Sequence, residues 1–210
     1  MGYDFYFADH QREDWSKSKF LMRDFPPKNN TLIDQKNDIF KFFGNLTNQC
    51  IRNHIIQTST VVVRKELLDE IRFPETLTLL EDDITWSLLS QKTDKIGFSK
   101  QIDVICGSGV NISISDAWGT LSYFYKTKKL LNSWLQSYQF IELSAANEQL
   151  RLQRIKSLTE DVARQYIFGS IGRKRFSMDV MSEFPYLIKG LLLLVMNKVR
   201  KTRNTSPPSH

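Results

Sequence analysis

Thr58-Ser59-Thr60-Val61-Val62-Val63 passes directly into Arg64-Lys65-Glu66-Leu67-Leu68. β-Branched side chains favour an extended, pleated backbone, whereas charged residues and leucine favour a helix. The pattern predicts a buried strand over residues 57–63 that runs into a short helix over 65–71. Further on, Leu80-Glu81-Asp82-Asp83-Ile84-Thr85-Trp86 places three carboxylates in succession. Thr78 and Glu81 have the spacing of a capping box, which sets a helix start near residue 79. A strand, a helix and an acid-headed helix in that order constrain this part of the chain to an α/β arrangement.

The flanking segments extend this reading. Tyr3-Asp4-Phe5-Tyr6-Phe7-Ala8 alternates in the manner of a strand. Residues 9–38 are polar and contain Pro26-Pro27 and Asn29-Asn30, so they read as a long loop with little regular structure. A short helix is expected around residues 39–43, and two short strands over 95–99 and 101–106. From Ser115 the character changes. Residues 116–140, 144–167 and 177–203 all read as helices, and no strand signal of any strength follows residue 115. The fold class expected is α/β over residues 1–116, followed by an all-helical region over 117–210.

The acids carry the chemistry. In the first turn of a helix, Glu81, Asp82 and Asp83 meet the positive end of the helix dipole, which favours their ionised form. Their mutual repulsion acts the other way and raises the proton affinity of at least one of them. Either tendency can yield a general base, which must be unprotonated at working pH and within reach of its proton. Acids are also common in first turns for purely structural reasons. Trp86, on the same helix, reads as a core residue.

Glu81 through Trp86 matches Glu-Asp-any-any-any-Trp, a pattern of family 2 glycosyltransferases. The unit over 58–71 resembles that family too, as do Gly109-Val110-Asn111-Ile112-Ser113 and Trp118-Gly119 downstream. The opening segment from Tyr3 to His10 is similar to the strand that follows the family's metal-binding acidic motif. The resemblance covers about residues 3–119. It implies an acceptor-side half of a GT-A nucleotide-diphospho-sugar transferase fold. It implies Asp82 as the general base that deprotonates an acceptor hydroxyl in an inverting displacement. It gives Glu81 and Asp83 contacts to the acceptor, and it places Asn111 and Trp118 along the acceptor cleft. It also implies a nucleotide-sugar donor, a glycan or lipid-linked acceptor, and divalent Mg or Mn for the full-length family. No Asp-any-Asp motif occurs in residues 1–50, and Asp4 and Asp9 are too far apart to mimic one. A nucleotide-binding half, about one small domain in size, is therefore expected to be lacking, and the chain is expected to be inactive alone. The alternative expectation is a non-catalytic remnant or membrane-associated partner.

Charge separates the two regions. The chain of 210 residues has a net charge of +6. Residues 1–116 hold 14 Lys/Arg and 17 Asp/Glu, a balance of −3; residues 117–210 hold 15 and 6, a balance of +9. Leu187-Ile188-Lys189-Gly190-Leu191-Leu192-Leu193-Leu194-Val195-Met196 is apolar but shorter than the roughly 20 residues a bilayer span needs. Lys198, Arg200, Lys201 and Arg203 follow it. That pairing suits either a helix in an anionic membrane interface or a buried helix with a solvated end. The basic region carries no recognisable nucleic-acid motif, so nucleic acid is not expected as a partner. Two cysteines form no disulfide framework and no Cys/His metal spacing appears. A cytoplasmic location, peripheral on the inner face of the membrane, is the expectation.

Overall fold

The computed structural model describes residues 2–107 except 27 and 29, residues 118–166, and residue 188. Within these the protein is mixed α/β. A five-stranded sheet is built from β1 (Phe5–Arg12), β2 (Thr31–Asp34), β3 (Ile39–Lys41), β4 (Val62–Val63) and β5 (Ile96–Cys106). The helices are α1 (Lys19–Met22), α2 (Leu46–Asn53), α3 (Lys65–Glu70), α4 (Glu81–Lys92), α5 (Leu121–Gln136) and α6 (Ala145–Gln165). The expected helix over 177–203, except residue 188, and Asn111 with its glycine-rich surroundings lie outside the described residues.

Strand order is β2-β3-β5-β1-β4. The central pair, β1 and β5, is parallel. The β1–β4, β2–β3 and β3–β5 pairs are antiparallel. Phe98 stands near the start of β5, fully buried, with the rings of Phe7, Phe25, Phe40 and Phe42 at centroid distances of 6.1, 5.3, 5.2 and 6.2 Å. Phe5, Phe20 and Trp86 extend the same core. Apolar residues that alternate along β1 meet those of β5 on one face, and this fixes the register of the parallel pair.

Several expectations are corrected here. The segment over 9–38 is not a structureless loop: β1 continues to Arg12, α1 follows, and β2 begins at Thr31. Polar composition hid the strand end because Asp9 and His10 are buried there despite their polarity. Residues 39–43 supply strand β3 and not a helix, since Ile39, Phe40 and Lys41 pair with β5. The hairpin before β3 is set by Asp34, whose Oδ1 accepts the Lys36 and Asn37 amides at 2.9 and 3.2 Å. The two strands expected over 95–106 are one strand. The polar pair Lys100-Gln101 marks a bulge, visible as a register shift against Ala8 and Asp9, and not a turn.

The expected buried strand over 57–63 is a 3₁₀ turn, Thr58–Thr60, and then only two strand residues. Val62 is 66% exposed. The hydroxyl of Thr60 bonds the Gln57 carbonyl at 2.8 Å, which draws the backbone into the turn before it extends. The helix expected after it is present as α3.

The chain divides into two compact units, residues 1–114 with 136–150, and residues 115–135 with 151–210. In the first, Gln91 donates to the carbonyl of Glu142, between α5 and α6, at 3.1 Å, and Asn147, in the first turn of α6, donates to Asn45 Oδ1 at 3.3 Å. In the second, Phe124 and Leu131 of α5 pack with Val162 of α6. Arg151 donates to the buried Trp134 carbonyl at 2.9 Å, and Gln165 donates to Thr127 Oγ1 at 3.3 Å. Among the described residues no helix is long and apolar enough to cross a membrane.

Gly97 tests how tightly the sheet is packed. A Cβ built there would stand 2.9 Å from Cδ2 of the Tyr3 ring. Gly97→Ala should therefore cost about 1–3 kcal/mol through overpacking, read as a lower denaturant midpoint with an unchanged slope. A midpoint equal to the parent's would show that the Tyr3 ring gives way freely.

Candidate acidic site at the start of α4

The helix α4 begins two residues later than a capping box would place it. Its N-cap is Leu80, in the left-handed region at φ 72° and with no side-chain cap. The Thr78–Glu81 capping box is therefore not formed, because Glu81 is already the first helical residue. Leu80 is buried, and its carbonyl accepts the first helical hydrogen bond from Ile84 N at 3.0 Å. Packing of a large apolar side chain holds a backbone conformation that leucine rarely adopts. The three acids then follow in the first turn.

Asp82 is partly exposed. Its Oδ1 accepts the Asp83 amide at 2.8 Å, and its Oδ2 accepts the Thr58 hydroxyl at 3.2 Å. Burial of the carboxyl, then the neighbouring charge of Asp83, and to a smaller extent that of Glu81, push its pKa up from 3.8 to about 6. The amide and hydroxyl bonds pull the other way and do not win. Asp82 is thus a carboxyl with unusual proton affinity that still reaches solvent. Glu81 leaves one oxygen, Oε2, buried without a hydrogen-bond partner, while its carbonyl accepts the Thr85 hydroxyl at 2.7 Å.

Asp83 is paired with His54 through Oδ2 and Nδ1. Its side chain is 10% exposed and that of His54 is 32% exposed. His54 is the left-handed C-cap of α2, at φ 45°, with its amide bonded to the Cys50 carbonyl at 3.0 Å. α2 is itself started by Asn45, whose side chain accepts the Asn48 amide at 2.8 Å. Cys50 lies buried in α2, and burial first, then the charge of Asp83, raises its thiol pKa. Both cysteines are free.

The structure brings Glu81, Asp82 and Asp83 together with two residues that the sequence reading did not assign, Thr58 and His54. Thr58 lies in the quoted β-branched run, so a signal for it existed. His54 is 29 positions from its partner, and no local pattern links the two. Trp118 is in the second unit, half exposed, with its indole N–H donating to Asp161 Oδ1 at 3.4 Å. Trp86 is a core residue, packed against Phe5 at 5.9 Å and edge-on to Phe73 at 5.5 Å.

Among the described residues no three His, Cys, Asp or Glu groups are arranged to hold a divalent metal. Asp4 is engaged by Arg64 at 3.0 Å and by the Thr93 hydroxyl at 2.9 Å. Asp9 is buried and accepts the amides of His10 and Phe20 at 2.8 and 3.0 Å. Both are occupied in holding β1 to its neighbours.

Near Asp9, His10 is buried beside Trp15 at 6.1 Å. Burial, and then the charge of Lys19, lower its pKa to about 4. An unfolded histidine takes up a proton near pH 6.5, whereas the folded one resists until about pH 4. The stability held by neutral His10 is complete above pH 6.5 and lost as pH falls toward 4. His10→Gln should flatten the fall in Tm between pH 6.5 and 4, by at most about 3 kcal/mol. A Tm profile parallel to the parent's would overturn this assignment.

No family model, curated protein or solved structure matches this chain.

Proposed function

We propose that this chain carries the acceptor side of an inverting glycosyltransferase that uses a nucleotide-sugar donor, with a partial GT-A fold. The observation that carries the reading is Asp82. It is a partly exposed carboxyl at a helix start, fixed by two donors, with a pKa raised to about 6. A carboxylate of that proton affinity is mostly ionised at neutral pH, yet is a stronger base than an ordinary aspartate. It would accept the proton of an acceptor hydroxyl as the hydroxyl oxygen attacks the anomeric carbon. The new carbon–oxygen bond forms as the bond to the nucleotide diphosphate breaks, and the electron pair leaves with the diphosphate. Glu81, beside Asp82 in the first turn of α4, is the proposed second contact to the acceptor. Asn111 remains a proposed acceptor contact. The acceptor class proposed is a cell-surface polysaccharide or a lipid-linked glycan.

Among the described residues no His, Cys, Asp or Glu cluster could hold a divalent metal for the diphosphate, so the assay needs two proteins. One is this chain, and the other is this chain joined to any in-frame segment encoded before Met1. Each is given a panel of nucleotide sugars with Mg or Mn, and nucleotide diphosphate release is followed with and without glycan acceptors. Acceptor-dependent release by either protein supports the reading. Its absence with both, across the panel, ends it and leaves a non-catalytic partner role as the better account.

A further inference from the structure

We propose that His54 is the positioning residue for Asp82: by holding the Asp83 carboxylate against the end of α2, it keeps Asp83 from turning onto its neighbour and leaves Asp82 directed to Thr58. The inference rests on Asp82 being the reactive group, as argued above, but its test does not need the reaction.

Asp82 and Asp83 are adjacent in one helical turn. Successive helical side chains point about 100° apart, yet the charge of Asp83 still reaches Asp82 and raises its proton affinity. Two carboxyls this close share a proton readily when neither has another partner. Asp83 is nearly buried, so a lost partner would not be replaced by bulk water. The His54 ring supplies that partner from a different element, through Nδ1. Its backbone makes this possible: at φ 45° the C-cap residue turns back over the helix end, and the ring is carried toward α4. Among the described residues, groups from three elements face the pair. Glu81 shares their helix, Thr58 comes from the 3₁₀ turn, and Cys50 and His54 come from α2.

Position and backbone can be separated by substitution. His54→Asn keeps a donor where Nδ1 stands and tolerates the left-handed conformation. His54→Gly keeps the conformation and removes the donor. His54→Gln carries its amide too far along the side chain to replace Nδ1, and serves if the glycine variant does not fold.

The experiment is a ¹³C-carboxyl NMR titration of aspartate-labelled protein, reading the Asp82 midpoint. His54→Asn should leave that midpoint at the parent value. His54→Gly, or His54→Gln, should raise it by about one unit as the freed Asp83 carboxylate turns onto Asp82. In an Asp83→Asn background, His54→Gly should no longer move the midpoint, because the residue acts through Asp83. An unchanged midpoint in both disruptive variants overturns the proposal. So does an equal shift with and without Asp83, which would mean that His54 supports the helix end in general. If the chain proves to transfer no sugar, the proposed function fails while the titration result stands by itself.

Discussion

Asp82→Asn should lower the rate of glycosyl transfer by about 10²–10⁴ and, in the same protein, raise the thermal midpoint at pH 8. The two effects have one origin. The folded pKa of Asp82 is raised from 3.8 to about 6. A raised acid contributes stability that is fully present below the unfolded pKa and is lost as pH rises through the folded one. Above pH 6 the native protein therefore holds a carboxylate in surroundings that disfavour its charge. An amide has no charge to desolvate. Its oxygen still accepts the Asp83 amide, and its nitrogen donates to Thr58 with the hydroxyl reversed. The shift corresponds to at most about 3 kcal/mol, and partial exposure brings the expected gain to about 1–2 kcal/mol. Denaturation at pH 8 and at pH 3.5 checks the sign: the variant should gain at pH 8 and match the parent at pH 3.5. A loss at pH 8 would show that Asp82 is an ordinary helix-start acid. Nucleotide-sugar binding should survive, since the base acts on the acceptor.

Phe98→Ala should be the most damaging single change to the first unit, at about 3–5 kcal/mol. Its ring is fully buried on the central strand pair and meets Phe7, Phe25, Phe40 and Phe42. Truncation removes the apolar area and leaves a cavity whose walls belong to three different segments, so no single rearrangement can fill it. Equilibrium urea unfolding gives the number directly. A cost under about 1 kcal/mol would place the core elsewhere than on β5. Phe98→Leu should recover most of the loss, because it restores volume without restoring the ring stacking.

The parts of the fold that were legible share one property: their side chains obey a single local rule. β1 alternates, α3 follows its β-branched run, and α5 and α6 carry long helical patterns. The parts that were not legible depend on partners far along the chain. Ile39, Phe40 and Lys41 have an ambiguous local preference, and pairing with Gly97, Phe98 and Ser99 decides it in favour of a strand. Lys100 and Gln101 look like a break until the bulge against β1 absorbs them. The acids of the site were legible as a triplet, and so was their place at the start of a helix. Their unequal roles were not. Asp83 differs from Asp82 because His54 reaches one and Thr58 the other, and that division is a property of how α2 and the 3₁₀ turn pack on α4.

Leu80 has a consequence for how this chain can drift under mutation. It must satisfy a left-handed backbone and fill a buried space at once. Glycine or asparagine would suit the first demand and leave the second empty. Valine or isoleucine would meet the second and resist the first more strongly than leucine does. The tolerated alphabet at position 80 is thus narrower than at the three positions after it. A lineage could exchange the chemistry of Glu81 or Asp83 and keep the helix start where it is, whereas exchanging Leu80 would re-aim all three acids in one step.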